Sequence, residues 1–239
     1  MDALINERKS RFALRLFDIG AVKFGRFRLK LHEKHPGAPE SPFYLNLRVP
    51  NNPKPGPLEN EDVLEAADLM FRIAVRVDEL EFTHIAGIPN AGDPFAQAFQ
   101  AIACEADLPA PYKLLRLGKE HLPNGMRRIA HLEEGKCEEG DQVLMVDDLI
   151  THGESKLEAM QTLKELGLRI SGLVVLVDRE QGGAKKITDA KYHFVAVYTL
   201  TELMHIYLSA GKISEEQLWS CLGYQDELDA YYVSKGQTD

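Results

Sequence analysis

Residues Val143–Lys156 read VLMVDDLITHGESK, and this stretch decides the fold. Four apolar residues, Val143 to Val146, run into two adjacent aspartates, Asp147 and Asp148, and a short loop, Thr151-His152-Gly153-Glu154-Ser155, follows. An amphipathic helix then begins at about Lys156. A short apolar run bounded in this way reads as a buried strand. In open α/β sheets, ligands bind in the crevice at the carboxyl ends of the strands, so the pair is delivered to a binding position. Adjacent carboxylates there accept hydrogen bonds from neighbouring sugar hydroxyls and stabilise positive charge developing on a ribose ring. Gly153 lets the backbone turn tightly. Successive N–H groups from Thr151 to Ser155, aimed at a helix N-terminus, form a nest for a phosphate, with hydroxyls from Thr151 and Ser155 and a ring N–H from His152 as further donors. Glu154 would repel such a ligand, so it is expected to point outward and complement the helix dipole. A bare Asp-Asp is ordinarily a turn and a bare serine a helix cap. Strand, Asp-Asp, Thr-x-Gly-x-Ser and helix in that order point instead to a sugar-phosphate site. Neither GxxxxGK[ST] nor GxGxxG occurs, so the P-loop and dinucleotide fingerprints are lacking.

Working outward, strand and helix patterns alternate. Phe82–Ile88, Tyr112–Leu117, Gln142–Val146, Ile170–Val177 and Tyr192–Tyr198 are strand-like, and Pro94–Glu105, Glu154–Leu166 and Leu203–Leu208 are helical. Gly118–Arg128 reads as a polar loop. Repeated βα units of this kind predict an α/β fold with a mostly parallel sheet flanked by helices. Before them come an amphipathic helix over Leu4–Phe17, a strand over Arg26–Leu31 and a Pro-, Asn- and Gly-rich stretch, His32–Pro57, that reads as an irregular hood. Ser214-Glu-Glu-Gln217 starts a final helix with a capping box. The expected organisation is one domain over 1–239, with a helix and hood over 1–60, a core over 61–208 and a helical appendage over 209–239.

The 239 residues carry a formal net charge of −9, which argues against nucleic acid as a partner. An anionic ligand must then be met by local cations. No apolar run approaches the roughly 20 residues of a membrane span, and the charged N-terminus is unlike a signal peptide, so neither is expected. Cys104, Cys137 and Cys221 are far apart and show no zinc or disulfide spacing, which suits a reducing cytoplasm. His32 and His35 flank a Pro-Gly turn and are expected at the surface. His84 and His193 are expected in structural roles within strands.

Val143–Ser155 resembles the phosphoribosyl-pyrophosphate (PRPP) binding motif of type I phosphoribosyltransferases, and four further stretches are similar to the orotate branch of that family. These are GAVKFGRFRLK (Gly20–Lys30), SPFYLN (Ser41–Asn46), LVDREQGG (Leu176–Gly183) and YTLTELM (Tyr198–Met204). The resemblance implies that Asp147 and Asp148 hold the ribose hydroxyls, and that PRPP is bound from there through Leu149 and Ile150 to Thr151, His152, Gly153, Glu154 and Ser155. It implies further PRPP contacts from Lys30, Arg116, Lys119 and His121. Orotate would meet Tyr44, Leu45, Thr151 and Arg179, whose planar fork suits a carboxylate.

The reaction implied is transfer of 5-phosphoribosyl from PRPP to orotate, giving orotidine 5′-monophosphate and pyrophosphate in pyrimidine biosynthesis. Asp147, Asp148, Lys119 and His121 would be the catalytic side chains. Mg2+ would arrive mainly on the pyrophosphate, with no protein ligands, and the family's homodimer lends the lid from a neighbouring subunit. Two places depart from the family pattern. In GIPNAGDPF (Gly87–Phe95) Ala91 stands where many members have lysine, and in RLGKEHLPNG (Arg116–Gly125) Leu117 replaces a second lysine. Lys113 and Arg127 are the nearby candidates for compensation. The alternatives are a phosphoribosyltransferase for another base, or a PRPP-binding regulator without the chemistry.

Overall fold

The computed structural model describes residues 3–74, 80–106, 112–121 and 127–236, and the chain divides into two compact units. One unit comprises Leu47–Thr199, the other Met1–Asn46 together with Leu200–Asp239.

The larger unit holds a six-stranded sheet. In chain order its elements are α2 (Asn60–Ala74), β3 (His84–Gly87), α3 (Asp93–Glu105), β4 (Lys113–His121), β5 (Arg127–Glu134), β6 (Gln142–Ile150), α4 (Glu154–Glu165), β7 (Arg169–Asp178), α5 (Gly183–Asp189) and β8 (His193–Thr199). The strand order is β5-β4-β3-β6-β7-β8, parallel throughout except for β5, which runs antiparallel to β4 at the edge. The chain moves outward from β3 to β4, then returns to the other side of β3 with β6. This reversal opens a crevice at the carboxyl ends of β3 and β6, where ligands bind in such sheets.

The central strands are covered on both faces, which is why they read as unbroken apolar runs. Val143, Met145, Leu173 and Val175 pack with Ala159, Met160 and Leu163 of α4 and Ile187 of α5. Their neighbours Leu144, Val146, Val174 and Leu176, fully buried, point the opposite way by the pleat, toward the face covered by α2 and α3. Each such side chain contributes about 1.5–3 kcal/mol on burial. In α3, Pro94 sits in the first turn, where no intrahelical donor is needed, and Phe95, Phe99 and Ala103 form its buried stripe.

The strand pattern stops short in two places. β6 continues through the aspartates to Ile150, beyond the expected end at Val146. The expected loop Gly118–Arg128 is largely a hairpin, β4 reaching His121 and β5 beginning at Arg127, with residues 122–126 outside the described residues. Its arms near the turn are polar, while Leu117 and Ile129 on the same two strands are buried. The His131 ring lies over Gly118 across the ladder, and a Cβ there would have to push that exposed ring aside.

The smaller unit joins α1 (Ala3–Asp18), the antiparallel pair β1 (Val22–Phe27) and β2 (Ser41–Leu45), α6 (Leu200–Ser209) and α7 (Glu215–Ser234). Phe17 lies 5.3 Å from Tyr207 between ring centroids, and Phe43 meets Tyr224 edge-on at 6.3 Å. The capping box forms as expected, Gln217 N–H donating to Ser214 Oγ and Ser214 N–H to Gln217 Oε1. β1 begins four residues before the expected strand and ends at Phe27, and a 3-10 turn over Lys30–Glu33 follows. His32 corrects its expected surface placement: it is 5 % exposed, its Nδ1 accepting from Leu29 N–H at 2.9 Å and its Nε2 lying 3.1 Å from Pro39 O. The histidine closes the turn. His84 takes the structural role expected of it, its Nε2 lying 3.1 Å from Lys136 O.

Candidate active site

β6 carries Asp147 and Asp148 into the β3–β6 crevice, 2 % and 4 % exposed. Asp147 is held at both oxygens. Oδ1 accepts from the Asp148 N–H at 2.8 Å, and Oδ2 lies 2.5 Å from Lys156 Nζ, in the first turn of α4. Asp148 Oδ1 accepts from the Leu149 N–H at 2.8 Å. Burial pushes the Asp148 carboxyl up, and the Asp147 charge adds to this, against the opposing pull of Lys156 and Arg48. Burial would discharge Lys156, but the two carboxylates outweigh it and hold the ammonium above the ordinary lysine range.

The Thr151–Ser155 loop is tied to the DREQGG loop. Gly153 adopts φ +85° and leads into α4, whose first N–H groups have no partner inside the helix. Arg179 N–H donates to Ile150 O at 3.0 Å, Gly183 N–H donates to Thr151 O at 2.8 Å, and His152 Nδ1 lies 3.0 Å from Gln181 O. Gly183 is obligatory, since a Cβ would lie 2.3 Å from Thr151 O and 2.6 Å from Ile150 Cγ1. Asp178 Oδ1 accepts from Glu180 N–H at 2.9 Å and closes the turn in which Glu180 takes φ +56°. Burial raises the Asp178 carboxyl. The Nε and Nη2 atoms of Arg179 are buried within this unit. Glu154 points outward as expected and pairs with Lys186 at 2.9 Å, while Thr151 is half-buried and Ser155 exposed.

The loop after β3 closes against the same pair. A Cβ at Gly92 would lie 2.5 Å from Val146 O and 2.9 Å from Asp147 Oδ1, so only glycine lets the loop approach. Beside it is a cavity of about 280 Å³ lined by Asn90, Asp93, Arg116, Lys119 and Glu133 together with Pro53 and Leu117. Lys119 Nζ donates to Pro89 O, and Arg116 lies 3.6 Å from Glu133. Burial raises the Asp93 carboxyl; Arg116 and Lys119 oppose that rise and Asp147 reinforces it.

Lys30, Tyr44 and Leu45 belong to the smaller unit. Tyr44 is half-buried, with its ring 5.8 Å from that of Phe27, and Leu45 is 5 % exposed and pairs in register with Val22. Lys30 opens the 3-10 turn and does not end a strand. The side chains of Lys30, His121 and Arg127 lie outside the described residues.

A family model described as "Phosphoribosyl transferase domain" matches residues 59–202. The orotate phosphoribosyltransferase of Thermococcus gammatolerans is 32 % identical over 200 residues, 83 % of this chain and 93 % of that protein. The chain belongs to the phosphoribosyltransferase family, in its orotate phosphoribosyltransferase branch. Bovine uridine 5′-monophosphate synthase is 30 % identical over 203 residues, 84 % of this chain and 37 % of the bovine protein. The structure of Leishmania donovani UMP synthase superposes with a TM-score of 0.68 at 27 % identity, covering 91 % of this chain and 42 % of that one. The chain thus spans about two fifths of the length of these two longer relatives. The fold is that of the type I phosphoribosyltransferases, as the sequence predicted.

Both departures from the phosphoribosyltransferase pattern now have places. Leu117 is 1 % exposed and packs in the core beneath α4, so a lysine there would be buried. Ala91 is half-buried in the loop that receives Lys119. Lys113 does not compensate: it pairs in register with His84 at the opposite end of β3. Arg116 and Lys119 reach the cavity instead. Sequence reasoning missed Asp93 and Lys156. The second was visible in its spacing, since Lys156, Ala159, Met160 and Leu163 lie on one helical face and place the lysine inside.

Proposed function

We propose that the chain transfers the 5-phosphoribosyl group of PRPP to N1 of orotate, forming orotidine 5′-monophosphate and releasing pyrophosphate. One observation carries this reading: the buried Asp147–Asp148 pair sits at the β3–β6 crevice, and the phosphate loop behind it is hydrogen-bonded to the DREQGG loop. The 5′-phosphate takes the N–H groups of the loop from Thr151 to Ser155, and the carboxylates hold the ribose hydroxyls. As the bond to pyrophosphate breaks, positive charge grows on the ribosyl ring beside Asp148, where low dielectric makes a fixed carboxylate effective. Arg116 and Lys119, from the cavity rim, neutralise the departing pyrophosphate, and His121 is its proton donor. Arg179, Tyr44, Leu45 and Thr151 serve orotate, and Lys30 serves PRPP.

Magnesium fits the oxygen groups of the cavity, the Asp93 and Glu133 carboxylates and the Asn90 amide, as an ion that keeps its waters and rides on the pyrophosphate. Bound there, it withdraws negative charge from the leaving group; no side chain is assigned as a direct ligand. The two units act as one phosphoribosyltransferase domain, in a cytoplasmic homodimer. Among the described residues no helix is long and apolar enough to cross a membrane.

The test is pyrophosphate release from PRPP and magnesium across a panel of bases. Release with orotate alone supports the reading. Release with a purine in its place overturns the acceptor, and PRPP binding without release with any base makes the chain a PRPP-binding regulator.

A further inference from the structure

Lys156 is a buried charged side chain that the reaction outlined above leaves without a role. It shares its helical face with Ala159, Met160 and Leu163, where an apolar residue would fill the same space at no cost in desolvation. A buried ammonium persists only when paired, and its partner lies 2.5 Å away at Asp147 Oδ2. Asp147 Oδ1 is meanwhile fixed by the Asp148 N–H, in the space that Gly92 leaves open. The two neighbouring carboxylates are therefore unequal. One is clamped from two elements, and Lys156 closes its salt bridge with that one alone.

Charges from several elements act on this group. Arg48 favours the charge on Asp148, Asp93 and Asp147 disfavour one another's, and Glu154 favours the charge on Lys156. Asp93 is opposed in turn by Arg116 and Lys119, and Glu154 is engaged by Lys186. Within the pair, Lys156 balances Asp147, so the negative charge available to the ribosyl ring is the one that Asp148 carries when it ionises. Two uncompensated carboxylates in this buried place would repel each other strongly.

We propose that Lys156 is a positioning residue of the carboxylate pair: its buried ammonium fixes Asp147 as the member that orients the ribose and leaves Asp148 as the member whose charge meets the ribosyl cation. The proposal deepens the phosphoribosyl-transfer reading and rests on it. Asp148, raised by burial and by its neighbour, depends on Lys156 for part of its ionisation, so removing the lysine makes its charge harder to form.

The test is Lys156→Met, which keeps the length and removes the charge. Turnover per folded site falls roughly tenfold or more while the orotate KM stays within about twofold, and the acidic limb of kcat/KM moves about one unit to higher pH. Lys156→Arg recovers part of the loss. A lower melting temperature with turnover and pH profile unchanged makes the lysine a stabilising group only and overturns the proposal. PRPP binding by calorimetry, with no orotate present, separates this outcome from failure of the acceptor assignment. There Lys156→Met weakens binding and shifts its pH dependence whatever the base, and wild-type affinity throughout overturns the role. If Lys156→Met does not fold, NMR of lysine-labelled wild-type protein decides: a slowly exchanging Lys156 ammonium at neutral pH supports the pair, and exchange as fast as that of surface lysines overturns it.

Discussion

The β6–α4 passage and the β4–β5 hairpin both supply groups expected to meet PRPP, yet they are built in opposite ways. In the first, the charged groups of the crevice are fixed by burial. Asp147 and Asp148 sit on a central strand, Lys156 is under the helix, and the loop between them is bonded to the DREQGG turn. In the second, Arg116 and Lys119 project from a strand near the sheet edge, 44 % exposed in the case of Arg116, and only their inward neighbour Leu117 is held by the core. A site made of buried groups tolerates little change in spacing. A site made of exposed cations tolerates change more readily: Lys119 reaches the Pro89 carbonyl in the loop where Ala91 stands.

Breaking the buried side has the largest expected effect. Asp148→Asn removes the charge facing the ribosyl centre, and kcat/KM for PRPP falls roughly 10²–10³-fold or more. Stability moves the other way. Burial and Asp147 push the Asp148 carboxyl up to about 8, against roughly 3.9 in the unfolded chain. Its favourable contribution is complete below the unfolded value and is lost as pH rises through the folded one. The neutral amide of the variant escapes that loss, so thermal denaturation shows it gaining about 1–3 kcal/mol on the wild type between pH 4 and pH 8. A variant that is no more stable at pH 8 contradicts the raised carboxyl.

Restoring the family's lysines sharpens the contrast. Leu117→Lys places an ammonium beneath α4 and costs about 3–5 kcal/mol, read as a lower denaturation midpoint. Ala91→Lys, at a half-buried loop position, stays within about 1 kcal/mol of the wild type. Equal tolerance at both positions would refute the placement of Leu117 in the core. Gly183→Ala forces a methyl against Thr151 O and separates the two loops. The expected loss is about 1–3 kcal/mol of stability, with the KM values for PRPP and orotate rising together. A rise confined to one substrate would show that the loops act independently. Lys119→Ala has the smallest effect, roughly five- to fiftyfold in kcat/KM for PRPP, because Arg116 lines the same cavity. No change in PRPP kinetics would remove the hairpin from the site.

This contrast also explains what the sequence made legible. The run Val143–Val146, Asp147-Asp148 and Gly153 announced strand, carboxylates and turn, because burial on both faces leaves an unbroken apolar signature and the tight turn demands glycine. Ser214 and Gln217 announced their helix by local bonding alone. The arms of the hairpin were read as loop because Lys119 and Glu120 are solvated in either state. His32 looked like a surface residue because its two partners, Leu29 and Pro39, are backbone atoms brought near only by the folded turn. The bonds from Arg179 and Gly183 to Ile150 and Thr151 join segments about thirty residues apart, and no spacing rule announces them. Lys156 is legible in its spacing alone, because a lysine in a first turn is usually solvated.

The most direct measurement is the loss of orotate absorbance on mixing the protein with PRPP and magnesium, run beside Asp148→Asn with PRPP binding followed in parallel. Steady turnover by the wild type, lost in a variant that still folds and binds PRPP, is the predicted result. PRPP binding by both proteins with turnover by neither would contradict the assignment of a catalytic carboxylate to this strand.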